Sequence, residues 1–352
     1  MSTEVQTSVR PGAQAAAPVL KLEQSKPQGY WADAFRRLTR NRMAVLGLII
    51  IFFLILCAIF ANQLAPRSYD KQVLTDNNKV PSWLPALFPS VKPVGTEGGY
   101  AKLSDTYPFG ADSLGRDILS RLIYGTRVSL SVAFVGPLTS LLIGFLMGSI
   151  AGFYGGRVDN LIMRFVDLMY AFPSILLVIL MMAYFRSSFN QSAPGTLAFA
   201  LNQIDASFGG LFFIFVALGI TSWEQMARLT RGQVLSARER EYVLAARAVG
   251  MGNRGILFRH ILPNIIGPLI VAETLTIPTY ISFEAFLSFI GLGVNPPTPS
   301  WGSMISDGAQ ALRSYPNQAI FPALALALAM FAFNFLGDGL RDALDPRMRG
   351  VS

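Results

Sequence analysis

The sequence has one cysteine, one histidine and few charged residues, and each shortage narrows the class of protein. The single cysteine, Cys57, cannot form a disulfide within the chain, and the single histidine, His260, argues against a histidine-based metal site or catalytic triad. Charged residues make up 14% of the chain, whereas soluble proteins carry about a quarter. Hydrophobic residues make up 52% and are gathered into long runs, which indicates a protein folded in a lipid bilayer.

A phosphate-binding loop is also missing, because no lysine follows a glycine anywhere in the chain. The loop Gly-x4-Gly-Lys-Ser/Thr cradles the phosphates of ATP with its backbone amides and its lysine. We therefore predict that this chain is not an enzyme, does not hydrolyse ATP by that route, and binds no cofactor. No catalytic residue and no metal ligand set is predicted.

Six apolar stretches are long enough to cross a bilayer, which takes about 20 helical residues. The predicted spans are Met43–Ala61, Val128–Phe153, Leu161–Phe185, Gly209–Met226, Pro263–Ile290 and Ile320–Leu336. The first starts far from the N-terminus and no clear cleavage site follows it, so we predict an uncleaved span and not a signal peptide. The fourth is the weakest, since Trp223, Glu224 and Gln225 arrive early. The predicted fold class is an all-α integral membrane protein with six transmembrane helices.

These spans divide the chain into regions. Residues 1–29 show no apolar periodicity, which is typical of a disordered tail. The segment 186–208 has no predicted role beyond a loop. The predicted regions are a disordered cytoplasmic tail over 1–35, a first transmembrane helix over 36–62, an extracytoplasmic region over 63–127, a membrane core over 128–340 with an inner segment over 228–263, and a cytoplasmic C-terminus over 341–352.

The positive charge predicts the orientation. The net charge of +8 could suggest nucleic acid, but in a membrane protein it is better explained by basic cytoplasmic loops, so no nucleic acid is predicted as a partner. With the N-terminus inside, the inner segments carry 14 basic residues and the two short outer loops carry two, Arg186 and Arg313. Both termini are therefore predicted to be cytoplasmic.

A stripe of small residues marks the second span. Gly136, Ser140, Gly144, Gly148 and Gly152 recur every four residues, so they share one face of a helix. Small residues at this spacing allow a neighbouring backbone to approach closely, which is how helices associate in lipid. We predict that this stripe packs inside the bundle.

The inner segment Arg228–Pro263 is too polar to span and is predicted to form two short helices. The first runs over about Arg238–Val249, and its alanine pair allows a partner to approach closely. Gly250 suits the left-handed residue that closes a helix. Asn253 suits the N-cap of the second helix, and Pro263 is predicted to separate that helix from the fifth span.

This segment resembles the cytoplasmic loop of ABC importer permeases, which has the pattern Glu-Ala-Ala-x3-Gly-x9-Ile-x-Leu-Pro. The matching residues are Ala245, Ala246, Gly250, Leu262 and Pro263. Two positions depart from the pattern: Leu244 stands where the family has Glu, and His260 stands where it has Ile. An ionic contact from that glutamate to an ATPase is therefore not expected here.

Further blocks extend the resemblance over residues 31–350 and point to the dipeptide, oligopeptide and nickel branch, specifically its second, C-type permease subunit. The blocks include YVLAARAVGMGNRGILFRHILPN, YPFGADSLGRDILSRLIYGTRVSL and FLSFIGLGVNPPTPSWGSMISDG. The resemblance implies a type I importer permease core with an extra N-terminal span and an external loop region, located in a bacterial cell membrane. Implied partners are a homologous permease in a heterodimer, two ABC ATPases that bind ATP and Mg, an extracytoplasmic substrate-binding protein and membrane lipid. The implied ATPase-coupling residues are Ala245, Ala246, Gly250, His260, Leu262 and Pro263.

Two carboxylates in the fifth span, Glu273 and Glu284, are candidates for the translocation path. They lie eleven residues apart, about 20° from alignment on a regular helix, and so share a face. Intramembrane carboxylates are costly and usually line an aqueous path or pair with a polar group. Contact with the path, a structural hydrogen bond and, for Glu284, a position near the outer surface are the alternatives. Arg164 and Asp167 are expected to pair with each other.

The loop that contains Pro296, Pro297 and Trp301 is predicted to be rigid and to face outwards. It either docks the external binding protein or anchors Trp301 at the membrane surface.

Three other functions are alternatives to peptide import by such a permease. A nickel permease has the same architecture, and the scarcity of soft ligands argues only weakly against it. A stand-alone secondary transporter is expected to show internal repeats, and none is evident. A membrane-anchored enzyme lacks a nucleophile, base and acid set.

Overall fold

The computed structural model describes residues 30–189 and 192–344. Over these residues the chain is helical and contains isolated β-bridges but no strand, which confirms the all-α class. The predicted tail lies outside the described residues as far as position 29. Four helices are long and apolar enough to cross a membrane, and each of two bent helix pairs can supply one further span. The six-span architecture therefore depends on the two bent pairs.

The N-terminal part begins with helix α1 over Tyr30–Arg40 and helix α2 over Arg42–Ile59. The two are separated at Asn41, whose side-chain oxygen caps α2 by accepting from the amides of Met43 and Ala44 at 3.1 and 3.2 Å. Residues 30–35 are thus helical and do not belong to a disordered tail. They are ordered because Ala34 packs against the end of the last helix.

The second span is helix α3, Ile118–Tyr154, which starts ten residues before the predicted boundary at Val128. The early start follows from a cap, because the carboxylate of Asp117 accepts from the amide of Ser120 at 2.9 Å. The first turns of α3 therefore extend out of the apolar run into a polar region, residues 65–117, which we call the cap region.

The third span is bent and consists of two helices. Helices α4, Gly156–Ala171, and α5, Ser174–Phe189, meet at 81°. The bend falls at Pro173, which cannot continue a helix, and Phe172 before it is extended (φ −93°, ψ 135°).

The fourth span has two interruptions. Helix α6, Leu197–Ser207, lies at 104° to the helix that follows it. That helix consists of α7, Phe212–Thr221, and α8, Trp223–Arg238, which join at Ser222. The stretch 228–238 is therefore part of a long helix and not part of a separate inner loop.

The segment 186–208 supports the loop that follows the fifth span, a role the sequence does not indicate. The guanidinium of Arg186 donates to the carbonyl oxygens of Gly291, at 2.8 Å, and Gly293. The carboxylate of Asp205 accepts from the amide of Phe213 at 3.2 Å and so fixes the turn between α6 and α7.

In the segment from α9 to the fifth span, the structure differs from the sequence-based expectation at Asn253 and at Pro263. Helix α9 covers Glu241–Ala248, a π-helical turn covers Ile256–Ile261, and helix α10 covers Leu262–Phe289. Asn253 is the first residue of a short helix, Asn253–Gly255, and not its N-cap. Gly252 is the N-cap, and no side chain caps this helix. Pro263 does not end a helix either, because Leu262 keeps helical angles (φ −56°, ψ −44°). The wider π-turn just before Pro263 provides room for its ring.

The chain ends with helix α11, Trp301–Ala309, and helix α12, Asn317–Leu344. Residues 345–352 of the predicted C-terminal region lie outside the described residues. The cap region rests on the start of α12. Phe109 stacks on Phe321 with ring centroids 4.2 Å apart, and the side-chain amide of Gln318 donates to the carbonyl of Ala111 at 3.2 Å.

The small-residue stripe of α3 packs as predicted. A Cβ on Gly144 would lie 2.6 Å from the Cβ of Met226, and one on Gly148 would collide with the carbonyl of Ala227. The stripe therefore holds α3 directly against the backbone of α8. The hydroxyl of Ser140 donates to the carbonyl of Ser222 at 3.0 Å, at the point where α7 and α8 join.

Gly148→Leu is expected to destabilise the chain by about 1–3 kcal/mol or more, the cost typical of overpacking. The cost is not easily relieved, because the obstructing atoms belong to a backbone. Thermal unfolding of the purified protein in detergent measures the effect. Gly232→Leu is the matched control, since a Cβ at Gly232 would meet no described atom within 4 Å apart from its chain neighbours and the backbone of its own helix. Equal melting temperatures for the two variants would contradict the packing of α3 on α8.

Candidate functional site

One candidate site is the coupling element, α9 and the turn after it, at the end of the bundle opposite the cap region. The turn is a Schellman motif: Met251 N donates to Ala246 O at 3.1 Å, and Gly250 N donates to Arg247 O at 3.0 Å. Gly250 has φ +79°, which confirms the predicted left-handed residue. A side chain at Gly250 would be strained by its backbone conformation alone, because no described atom lies within 4 Å of a Cβ placed there.

The two alanines of the motif face in different directions. Ala245 is exposed, whereas Ala246 is only 5% exposed and packs with Val243, Ile256 and Ile261 of the same chain. The expectation that a partner contacts Ala246 is therefore wrong for the side chain. Ala246 therefore packs α9 against the bundle, and Ala245 lies on the exposed side of the helix, where a partner can contact it.

The outer face of the coupling element is apolar. Val249 is 85% exposed, Leu244 is 46% exposed and Tyr242 is 40% exposed. Leu244 holds the position where the family motif has glutamate, so this chain presents an apolar group where an acid is usual. Exposed apolar side chains gathered on one short helix are typical of a surface that a partner covers.

The other motif residues lie on the π-turn and the start of α10. His260 is half-buried, and its carbonyl oxygen accepts from the side chain of Asn264 at 2.6 Å. Leu262 is half-buried against the same hydrophobic cluster as Ala246, and Pro263 is exposed. Of these three residues, Leu262 is the one whose side chain joins the start of α10 to the cluster that holds α9.

A second candidate site is a polar cavity of about 280 Å³ between the third, fourth and fifth spans, which we call the central cavity. Broken backbone surrounds it: the bend at Pro173, the junction at Ser222 and Pro278 inside α10 all lie beside lining residues. Irregular backbone at membrane depth is tolerated where it lines a water-filled space. Its polar lining includes Tyr170, Thr221, Ser222, Glu224, Gln225 and Thr276.

Glu273 lies beside the central cavity. It lines an adjoining space of about 40 Å³ whose lining shares Ser222, Gln225 and Thr276 with the larger one. The carboxylate accepts from the hydroxyl of Tyr280 at 3.1 Å. The hydroxyl oxygen of Ser140, which donates to the carbonyl of Ser222 at 3.0 Å, lies 3.4 Å from the same carboxylate. Glu273 thus has structural hydrogen bonds and also borders a polar space.

Glu284 occupies a closed environment. It is 0% exposed, and its carboxylate accepts from the hydroxyls of Ser288 at 2.7 Å and Ser129 at 3.2 Å. Because Ser129 and Ser140 both belong to α3, Glu284 and Glu273 share the face that their spacing predicts. Only Glu273 borders the central cavity, so the structure does not bring the two candidates to one site.

The outer loop separates its candidate residues as well. Pro296 and Pro297 are exposed, whereas Trp301 is fully buried and its indole donates to the carbonyl of Leu122 at 3.1 Å. The indole neither contacts a receptor nor anchors at the membrane surface in this arrangement. It fastens the start of α11 to α3 and so holds the loop in place.

Sequence reasoning missed Glu224 and Tyr170 as cavity residues. Glu224 is visible in the sequence as an acid that interrupts an apolar run. Without the bends of the neighbouring helices, that interruption only weakens the prediction of the fourth span. The expected Arg164–Asp167 pair is also wrong, because Asp167 pairs with Arg228 of α8 at 2.5 Å. Pairing across helices depends on a packing that the local spacing does not determine.

Over the described residues the chain is a helical bundle with membrane-length apolar helices, a cavity lined by polar side chains and an exposed apolar helix at one end, features that fit a membrane transport subunit. Residues 144–350 match the model for the binding-protein-dependent transport system inner membrane component. Residues 29–81 match the N-terminal TM domain of oligopeptide transport permease C. The chain belongs to this family of inner membrane permeases.

Curated relatives agree over nearly the whole chain. The oligopeptide transport system permease protein OppC of Bacillus subtilis is 41% identical over 339 residues, which is 96% of each chain. The dipeptide transport system permease protein DppC of the same organism is 40% identical over 91% of this chain and 87% of its own. OppC of Escherichia coli K12 is 39% identical over 91% and 92%.

Proposed function

We propose that this chain is one permease subunit of an ATP-driven importer of peptides and forms half of the translocation path. The observation that carries the proposal is the 39–41% identity, over more than nine-tenths of this chain, to permeases named for oligopeptide and dipeptide transport. The central cavity supports it, because a hydrophilic solute needs polar groups at membrane depth.

The partners in this proposal are a second homologous permease, two cytoplasmic ATPases that bind ATP and Mg, and an extracytoplasmic binding protein. The coupling element supports an ATPase partner, because Val249 and Leu244 expose apolar surface that the chain itself does not cover. The exposed Pro296 and Pro297 support docking of the binding protein at the opposite end.

The path in this proposal follows the central cavity, with Glu273 at its border. Glu284 is proposed to act beside the path. Its hydrogen bond to Ser129 joins α10 to α3, and its hydrogen bond to Ser288 lies within α10. ATP is hydrolysed by the partner subunits, and this chain converts their movement into movement of its helices.

The orientation in this proposal places α9 and both termini in the cytoplasm and the cap region outside. In a Cys57→Ser background, Leu87→Cys in the cap region and Ala193→Cys before α6 are expected to react with an impermeant thiol reagent in intact cells. Ser236→Cys in α8 is expected to react only after permeabilisation. All three positions are exposed, so accessibility from one side decides the result. Reversed labelling would contradict the orientation.

The substrate class is tested by uptake into proteoliposomes that contain the complete assembly. We expect ATP-dependent accumulation of labelled di- and oligopeptides in the presence of the binding protein, and no accumulation of Ni²⁺. Accumulation of Ni²⁺ without peptide uptake would make the chain a metal permease and would contradict the peptide assignment.

A further inference from the structure

The side chain of Glu224 reaches the central cavity with one oxygen unsatisfied. Its Oε2 is buried and finds no hydrogen-bond partner among residues 30–189 and 192–344. Buried polar groups in folded proteins are nearly always paired, so an unpaired carboxylate oxygen is costly and requires an explanation. A group that is present only during transport would supply the missing partner.

The one cation within a helical turn of Glu224 is engaged elsewhere. Arg228 donates to the carboxylate of Asp167 at 2.5 Å, and its guanidinium carbon lies 4.1 Å from the ring centroid of Tyr170. These contacts join α8 to α4 at one edge of the cavity. They direct the guanidinium group at Asp167 and Tyr170. Its positive charge acts on Glu224 from nearby, but no hydrogen bond joins the two side chains, so the Oε2 atom of Glu224 remains without a partner.

The rest of the cavity makes this charge the dominant feature. Among the described residues that line the 280 Å³ space, Glu224 is the only acidic or basic side chain, and the others are hydroxyl, phenol, amide or apolar groups. Glu224 lies twelve residues after Phe212, about 18 Å along a regular helix, and within the fourth apolar stretch of the sequence. Coulombic attraction is screened less there than at a protein surface.

We propose that Glu224 is a specificity-determining residue of this permease and accepts the ammonium and guanidinium groups of peptides as they pass. The inference rests on the proposed function, because it presumes that peptides enter the central cavity. Hydroxyl and amide neighbours such as Thr221 and Gln225 solvate a neutral peptide backbone equally well for any sequence. Of the residues that line this cavity, Glu224 alone carries a charge with which to discriminate.

The test is uptake by the complete assembly of three tripeptides that differ only in their central side chain: Ala-Lys-Ala, Ala-Ala-Ala and Ala-Glu-Ala. In Glu224→Gln we expect the preference for Ala-Lys-Ala over Ala-Glu-Ala to fall about tenfold, the loss typical of one charge-assisted hydrogen bond. In Glu224→Lys we expect the preference to reverse. Glu224→Asp is expected to retain it, and ATP hydrolysis stimulated by the loaded binding protein reports correct assembly for each variant.

Glu97→Gln is the matched control, because it makes the same chemical change at an exposed site in the cap region. It is expected to leave all three uptake rates unchanged. An equal fall for all three peptides in Glu224→Gln, or no change, would overturn the inference while peptide import stands. If Glu224→Gln fails to assemble, an unaltered preference in Glu224→Lys or a lost preference in Glu224→Asp would overturn it. Absence of uptake of every peptide by the unmodified assembly would overturn the proposed function itself.

Discussion

Ala245→Trp is expected to abolish ATP-coupled transport while the chain remains folded and inserted. Ala245 is exposed on α9, so an indole there disturbs no packing within the chain. It would prevent the close approach of a partner to the face that carries Leu244 and Val249. Burying Val249 alone is worth about 1.5–3 kcal/mol, so loss of this contact is expected to weaken ATPase binding at least tenfold. The measurement is co-purification of the ATPases together with substrate-stimulated hydrolysis and uptake.

Ala245→Ser is the matched control, because it keeps the side chain small, and it is expected to behave like the unmodified chain. Ala246→Trp is a poorer test than the motif suggests. Its side chain would be forced into the cluster of Val243, Ile256 and Ile261, so misfolding within the chain would be confused with uncoupling. Normal values in all three assays for Ala245→Trp would show that α9 is not where the ATPases act.

Asp112→Ala is expected to lower the stability of the cap region by about 3–5 kcal/mol, the cost of breaking a buried ion pair from one side. The carboxylate of Asp112 accepts from the amides of Leu114 and Arg116, both at 2.9 Å, and pairs with the guanidinium of Arg116 at 2.6 Å. It also lies 3.6 Å from the guanidinium of Arg121 on α3. Its loss leaves two arginines, 7% and 3% exposed, with the more distant carboxylate of Asp307, at 3.7 and 4.0 Å, as their remaining ion-pair partner among the described residues.

Limited proteolysis and thermal unfolding of the purified chain measure this effect, with early cleavage expected within residues 65–117. Asp70→Ala, at an exposed site of the same region, is the control and is expected to leave the cleavage pattern unchanged. A cap region equally resistant in the two variants would show that Asp112 does not join it to α3.

The sequence predicts the parts of this fold that depend on local chemistry. Apolar length identifies the spans, the four-residue spacing identifies the stripe that meets α8, and the need for φ > 0 identifies Gly250. It does not predict the parts set by packing between distant segments. The angle between α4 and α5, the inward direction of Ala246 and the Asp167–Arg228 pair all depend on which helices become neighbours.

The candidate site shows the same division. Glu273 and Glu284 stand out because they are acids in an apolar run, yet only the fold shows that one borders the central cavity and the other is closed in by serines. Glu224 lies where the fourth span weakens, and its position at a cavity follows from the break at Ser222. The positions of breaks in membrane helices therefore decide which residues line the cavity, and the sequence alone does not predict them.

ATP hydrolysis and peptide uptake, measured on this chain alone and then with its partners restored one at a time, test the central claim most directly. We expect neither activity from the chain alone, and both only when the second permease, the two ATPases and the loaded binding protein are all present. Peptide uptake that proceeds without the ATPases, or hydrolysis by this chain after every other subunit has been removed, would contradict the assignment.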